Sequence, residues 1–191
     1  MSQPKQIQTL PPIEELHRST PLSTRTGEPQ RPIVAVVAAV ASYAAVAVVM
    51  GVYALHWWRA ANPDSYATSA RLIEWVAPEP GKWLSLTLEG VLAAASVLAA
   101  GAVAVAGFQA WNGWKWSRWA GLVGLLLMGG YAAITTDPAY IALGLSLVTA
   151  VLVWLPPMTT YFRRWAQVRA ERPEAYRRPG WIFYGRLPRF R

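Results

Sequence analysis

Glu89 is the one ionisable side chain inside a long apolar stretch of this sequence. A carboxylate in such a place is costly unless it is paired or performs a function. At helical spacing it shares a stripe with Ala93, Ser96, Ala100, Ala104 and Gly107, small residues that let a second helix approach closely. Two chemistries suit it: proton or cation binding, or a polar contact to a neighbouring helix or subunit. The polar contact is the expectation, because the other apolar stretches place no carboxylate, lysine or histidine at matching depth and a relay needs company. His56 could ligate a metal or meet a partner's cofactor. Flanked by Trp57 and Trp58, it reads instead as an amphipathic residue at a water boundary. Trp111, Trp114, Trp116 and Trp119 could stack a ring such as a quinone, although an aromatic belt explains them without a ligand.

A second constellation closes the chain. Arg178, Arg186, Arg189 and Arg191 interleave with Trp181, Phe183 and Tyr184 just after Pro179-Gly180. Arginine with aromatics can hold nucleic acid, anionic lipid or a protein groove. These seven residues are expected to bind a partner protein, with anionic lipid as a further partner. Nucleic acid is not expected, because the charges of one sign do not run together. The chain has no cysteine and two histidines, His17 and His56, which excludes disulfides and thiolate metal sites. It also lacks a Ser–His–Asp set, a phosphate-binding loop and zinc spacing. The expectation is a protein without catalytic residues, cofactor or metal.

The elements that must position these residues follow from the distribution of charge. The chain of 191 residues is 54% hydrophobic and 15% charged, with a formal net charge of +8. The charges gather between apolar stretches of the length that a bilayer core demands. The fold class expected is an all-α integral membrane protein of four transmembrane helices, at about 33–55, 83–108, 120–136 and 139–155. Three regions result: a proline-rich extended tail at 1–31, a transmembrane domain at 32–157 and a basic aromatic tail at 158–191. Residues 66–76 could form a short helix in the interface. Asp137 and Pro138 are read as the N-cap and first position of the fourth helix. Beyond Pro156-Pro157, Tyr161, Phe162, Trp165 and Val168 predict a short amphipathic helix along the inner surface. Lysine and arginine crowd the two tails and the turn at Lys115 and Arg118. The opposite side holds Arg59, Arg71 and Lys82. That asymmetry predicts both termini in the cytoplasm.

The segments WSRWAGLVGLLLMGGY, DPAY and VLVWLPPMTTYFRR, within Ala110 to Arg164, resemble a group of small four-helix actinobacterial membrane proteins. The arrangement also resembles accessory subunits of the cytochrome bcc–aa3 respiratory supercomplex. The resemblance implies a bacterial inner-membrane location, integral-membrane subunits as partners and a non-catalytic, stabilising role. A small proton- or ion-coupled transporter using Glu89, or a membrane-tethered adaptor with an arginine-rich recruiting tail, are the alternatives.

Overall fold

The computed structural model describes residues 28–171. The partner-binding residues expected in the terminal tail (Arg178, Trp181, Phe183, Tyr184, Arg186, Arg189 and Arg191) lie outside the described residues, as does His17. The described chain is built from helices: α1 (Ile33–Ala60), α2 (Pro63–Tyr66), α3 (Arg71–Val76), α4 (Trp83–Trp111), α5 (Ser117–Ile134), α6 (Ala139–Leu152) and α7 (Pro156–Glu171). α1, α4 and α5 are each long and apolar enough to cross a membrane. A fourth crossing results if α6 and α7, bent by 63° at their junction, count as one. The fold is therefore all-helical and consistent with a multi-pass membrane protein.

The long helices pack in a ring. α1 lies against α4 and α6, and α5 closes the ring by packing on both α4 and α6. Tyr131 of α5 reaches across the middle, its hydroxyl donating to the Val49 carbonyl of α1 at 3.4 Å. The core is made largely of small side chains, among them Ala45, Ala99, Ala132, Ala139 and Ala142 around Met128 and Tyr131. The large aliphatic residues point outward, as in Val97 at 71% and Leu126 at 76% exposure. A water-soluble bundle buries its large aliphatic groups first, since they lose most by exposure. This one does the reverse, which is the arrangement by which helices associate within apolar surroundings.

The buried hydroxyls fit the same surroundings. Ser42, Ser96, Ser146 and Thr135 each donate to a carbonyl three or four residues earlier in their own helix. Thr149 does so too, and also lies 3.3 Å from the Ala38 carbonyl across the α1–α6 contact. Each of these five hydroxyls is thus satisfied without water.

The two ends of the bundle are built differently. At what we call the loop end, α2 and α3 replace the single helix expected at 66–76. Arg71, at the start of α3, ties this loop to the α5–α6 turn. Its guanidinium donates to the Ala132 carbonyl at 2.8 Å, pairs with Asp137 and lies 5.1 Å from the Tyr140 ring. Asp137 therefore serves as the partner of Arg71 and makes no side-chain cap of α6, contrary to the cap expected from its position. An arginine with both a carboxylate and a free carbonyl in reach outcompetes a local N–H for that carboxylate.

At the other, arginine-rich end, Pro156 opens α7 where the chain bends away from α6. Met158, Tyr161, Phe162 and Trp165, at helical spacing, are buried against Ala35, Ala38, Ala110 and Val153. The apolar face expected to lie along a membrane surface is instead used to seal the bundle's own end. α7 also supplies donors to helix ends, whose last carbonyls have no partner within the helix. The Tyr161 hydroxyl donates to the Trp111 carbonyl at 2.6 Å, and Arg169 donates to the Asn112 and Gly113 carbonyls. From α5, Arg118 donates to the Val153 carbonyl at 3.2 Å. Gly113 adopts φ 70°, and a side chain there would collide with the Trp165 ring.

The tightest crossing is between α1 and α4. A Cβ added at Gly107 would lie 1.8 Å from Ser42 Oγ and 2.7 Å from Ser42 Cβ. Gly107→Val should therefore force the helices apart and lower stability by about 1–3 kcal/mol. Ser42→Gly in the same chain should recover part of the loss. Unfolding in detergent micelles, followed by circular dichroism, measures both effects.

Candidate functional site

Glu89 stands about two turns into α4 and His56 about one turn before the end of α1. The two helices run antiparallel from the loop end, so these positions come to the same depth. His56 Nε2 lies 2.6 Å from Glu89 Oε2, and His56 is 3% exposed. This overturns two expectations. His56 is not an amphipathic boundary residue, and Glu89 does have a titratable neighbour at its own depth. The expected polar contact of Glu89 is made to a helix of its own chain. The error arose from ending the first helix at residue 55. The helix continues to Ala60, which puts His56 inside it. Counting inward from the ends of two antiparallel helices would have found the pair.

Proton accounting defines the state of this pair. The other ring nitrogen, Nδ1, faces the Ser69 carbonyl at 3.3 Å. A carbonyl only accepts, so Nδ1 carries a hydrogen and fixes the tautomer. The short contact on the other side then holds one proton between Nε2 and Oε2. Whichever atom carries it, the pair is electrically neutral as a whole. A neutral pair removes most of the penalty for placing a carboxyl group among apolar helices. It also pins the α2–α3 loop, through Ser69, onto the bundle.

A cleft of ≈ 260 Å³ opens beside the pair, between α1, α2 and the start of α4. Trp57, Pro63, Pro80 and Leu86 form its apolar walls, and Tyr66, Ser85 and Glu89 its polar ones. Ser85 donates to the Lys82 carbonyl at 2.8 Å. Tyr66 is 8% exposed, and its buried hydroxyl makes no well-formed hydrogen bond, Ser85 being a weak neighbour, while Glu89 Oε1 is buried without a partner. Burial pushes the Tyr66 phenol up, Glu89 adds to this, and Ser85 opposes it. Tyr66 accordingly stays a protonated phenol at neutral pH and keeps its hydrogen to donate.

A second cleft at the same end, also ≈ 260 Å³, is lined by Arg59, Thr68, Arg71, Glu74 and Asp137. Two of its four charged residues, Arg71 and Asp137, are paired with each other. Among the described residues, no group of three His, Cys, Asp or Glu side chains could hold a metal ion.

Trp111, Trp114 and Trp119 of the 111–119 turn are engaged by the chain itself. Arg31 lies 4.6 Å from the Trp111 ring, Arg169 3.9 Å from Trp114, and Trp119 meets Trp154 edge-on at 5.9 Å. Their roles are stacking and cation–π contacts at the arginine-rich end. No family model matches the sequence, and comparison with curated proteins and with solved structures finds no match either.

The His56–Glu89 pair is open to a direct energetic test. His56→Leu leaves a carboxyl group without its partner, and Glu89→Leu leaves an imidazole without its own. Each single change should destabilise more than its share in the double variant. The coupling expected from a double-mutant cycle is roughly 0.5–3 kcal/mol. Additive losses, measured by unfolding in micelles, would show that the two groups do not depend on each other.

Proposed function

We propose that this protein is a four-span bacterial inner-membrane protein with both termini in the cytoplasm, acting as a non-catalytic accessory subunit of a larger membrane assembly. The observation that carries the reading is the filled interior. Between the two ends of the bundle the buried hydroxyls are bonded to backbone carbonyls. The core holds Ala, Val and Met, with Tyr131 as its one aromatic bridge. Among the described residues no further carboxylate, lysine or histidine lies within the long helices between the His56–Glu89 pair and the arginine-rich end. A protein built this way offers its outer face and its tails for use, rather than a route through its centre. The outward Val, Leu and Ile side chains would meet lipid and the helices of other subunits. The terminal arginine and aromatic residues would grip a cytoplasmic surface.

The arginine-rich end supports the orientation. Arg31, Arg118, Arg163, Arg164 and Arg169 gather there, and residues of this kind are retained on the cytoplasmic side. The respiratory supercomplex is the assembly to test first, because the resemblance across Ala110–Arg164 points to it. The packing itself argues only for a partner in the membrane. Proton-coupled transport through Glu89 is the second reading, and what favours it is the His56 partner at hydrogen-bonding distance. Glu89→Gln separates the two. Assembly and any proton-linked turnover should survive in the accessory reading, whereas loss of turnover in an intact assembly would favour the transporter.

Two further outcomes are expected. A reporter active only in the cytoplasm should work when fused after Arg31, Trp116 or Arg191 and fail after Asp64; activity after Asp64 would overturn the orientation. Deleting Arg178–Arg191 should leave insertion intact but release the protein from its assembly during purification in mild detergent. Each lost anchor of this kind costs about 2 kcal/mol or more. Mass spectrometry of the co-purifying subunits reads the result. Retention of a version with Trp181, Phe183 and Tyr184 changed to serine would defeat the clamp and leave lipid as the tail's partner.

A further inference from the structure

The cleft beside Glu89 has the features of a built site rather than a packing gap. Its walls are apolar, with the rings of Trp57, Pro63 and Pro80 beside Leu86. Two of its lining residues carry a buried polar atom without a well-formed hydrogen bond: the Tyr66 hydroxyl, which has only Ser85 as a weak neighbour, and Glu89 Oε1. An unpartnered buried polar group costs about 1–3 kcal/mol, and two on one small lining call for a shared explanation. Their chemistry is complementary. Tyr66 keeps a hydrogen to give. The second carboxyl oxygen of Glu89 is committed to His56, which leaves Oε1 to accept.

We propose that this cleft binds a small neutral molecule, or the end of a larger one, that carries a hydroxyl group on a flat apolar body. A hydroxyl is both donor and acceptor, so one such group can accept from Tyr66 and donate to Glu89 Oε1. A cationic head fits less well for two reasons. The His56–Glu89 pair is neutral as a whole, so the cleft offers no unbalanced negative charge. An ammonium can also only donate, which leaves the Tyr66 hydrogen without an acceptor. A carboxylate or phosphate would meet Glu89 with nothing to give. The volume suits a ring system or a short apolar segment rather than a whole lipid. The cleft lies at the loop end, beside Trp57 and Trp83, where amphipathic molecules collect at a membrane boundary. This inference does not depend on the accessory-subunit reading, since it concerns the occupant of one cleft.

The test uses the full chain in lipid nanodiscs and a photoreactive pair, 4-hydroxybenzophenone and 4-methoxybenzophenone, the hydroxyl of the first kept protonated. Crosslinked peptides are mapped by mass spectrometry. The hydroxyl probe should label residues 57–66 and 80–89 at least about tenfold more than its methyl ether, which has no hydrogen to donate to Glu89. Tyr66→Phe is the decisive variant. It removes a hydroxyl that makes no well-formed hydrogen bond in the free protein, so thermal stability should nearly hold while labelling by the hydroxyl probe falls several-fold. Equal labelling by the two probes, unchanged labelling in Tyr66→Phe, or no labelling of these segments would overturn the proposal. In the last case the cleft holds only water.

Discussion

Helices in apolar surroundings gain little from hiding their large side chains, so what brings them together must be close approach of their backbones. The rest of this structure depends on that constraint. α1 meets α4 where Gly107 leaves room for Ser42 and nothing larger. α5 meets α4 where Gly124 faces the backbone at Val103, a Cβ there falling 3.3 Å from the Val103 nitrogen. Alanines fill most of the remaining contacts, joined by Val49, Val52 and Val103, and many of the other Val, Leu and Ile side chains face outward. Because the helices sit so close, few side chains can reach between them. In the middle of the bundle Tyr131 and Thr149 do so, and both end on backbone carbonyls of a neighbouring helix.

Polar chemistry is consequently pushed to the two ends, and each end solves a different problem. At the arginine-rich end, α4 and α6 finish with carbonyls that have no helical partner. Tyr161, Arg169 and Arg118 provide the missing donors, and the two arginine charges offset the negative ends of the helix dipoles. Arginine suits this work because its planar fork can serve two carbonyls and stack on an indole at once, as Arg169 does against Trp114. At the loop end, Arg71 and the His56–Glu89 pair hold two short helices down on the bundle. One proton shared by histidine and glutamate lets a carboxyl group stand two turns inside a helix without a net charge. The same arrangement leaves its second oxygen facing a cleft.

The helices were legible in the sequence because the bilayer-length apolar stretches and the charge clusters between them are long-range signals that survive without a structure. Their ends were less so. Hydropathy falls off at Trp57-Trp58-Arg59, yet the backbone continues as helix to Ala60, because indoles and an arginine are as compatible with a helix as with its boundary. That one-turn error concealed the histidine partner of Glu89. Asp137 was misread for a related reason: a local cap is visible in sequence, whereas Arg71, sixty-six positions away, is not. The four tryptophans of the 111–119 turn read as interface residues by type, whereas the arginine partners of Trp111 and Trp114 come from residues 31 and 169. Only the fold brings those together. The terminal arginine and aromatic residues rest on sequence alone.

The central claim is that the large outward side chains of this bundle face a membrane. The natural chain has no cysteine, so single cysteines can be placed without background. Val97→Cys and Leu126→Cys, both at outward positions, are the probes, with Thr68→Cys at the loop end as the accessible reference. In intact membranes opened to both sides, a charged, membrane-impermeant maleimide should label position 68 and leave 97 and 126 untouched until detergent is added at denaturing strength. Ready labelling of positions 97 and 126 in the native membrane would place that face in water and contradict the account.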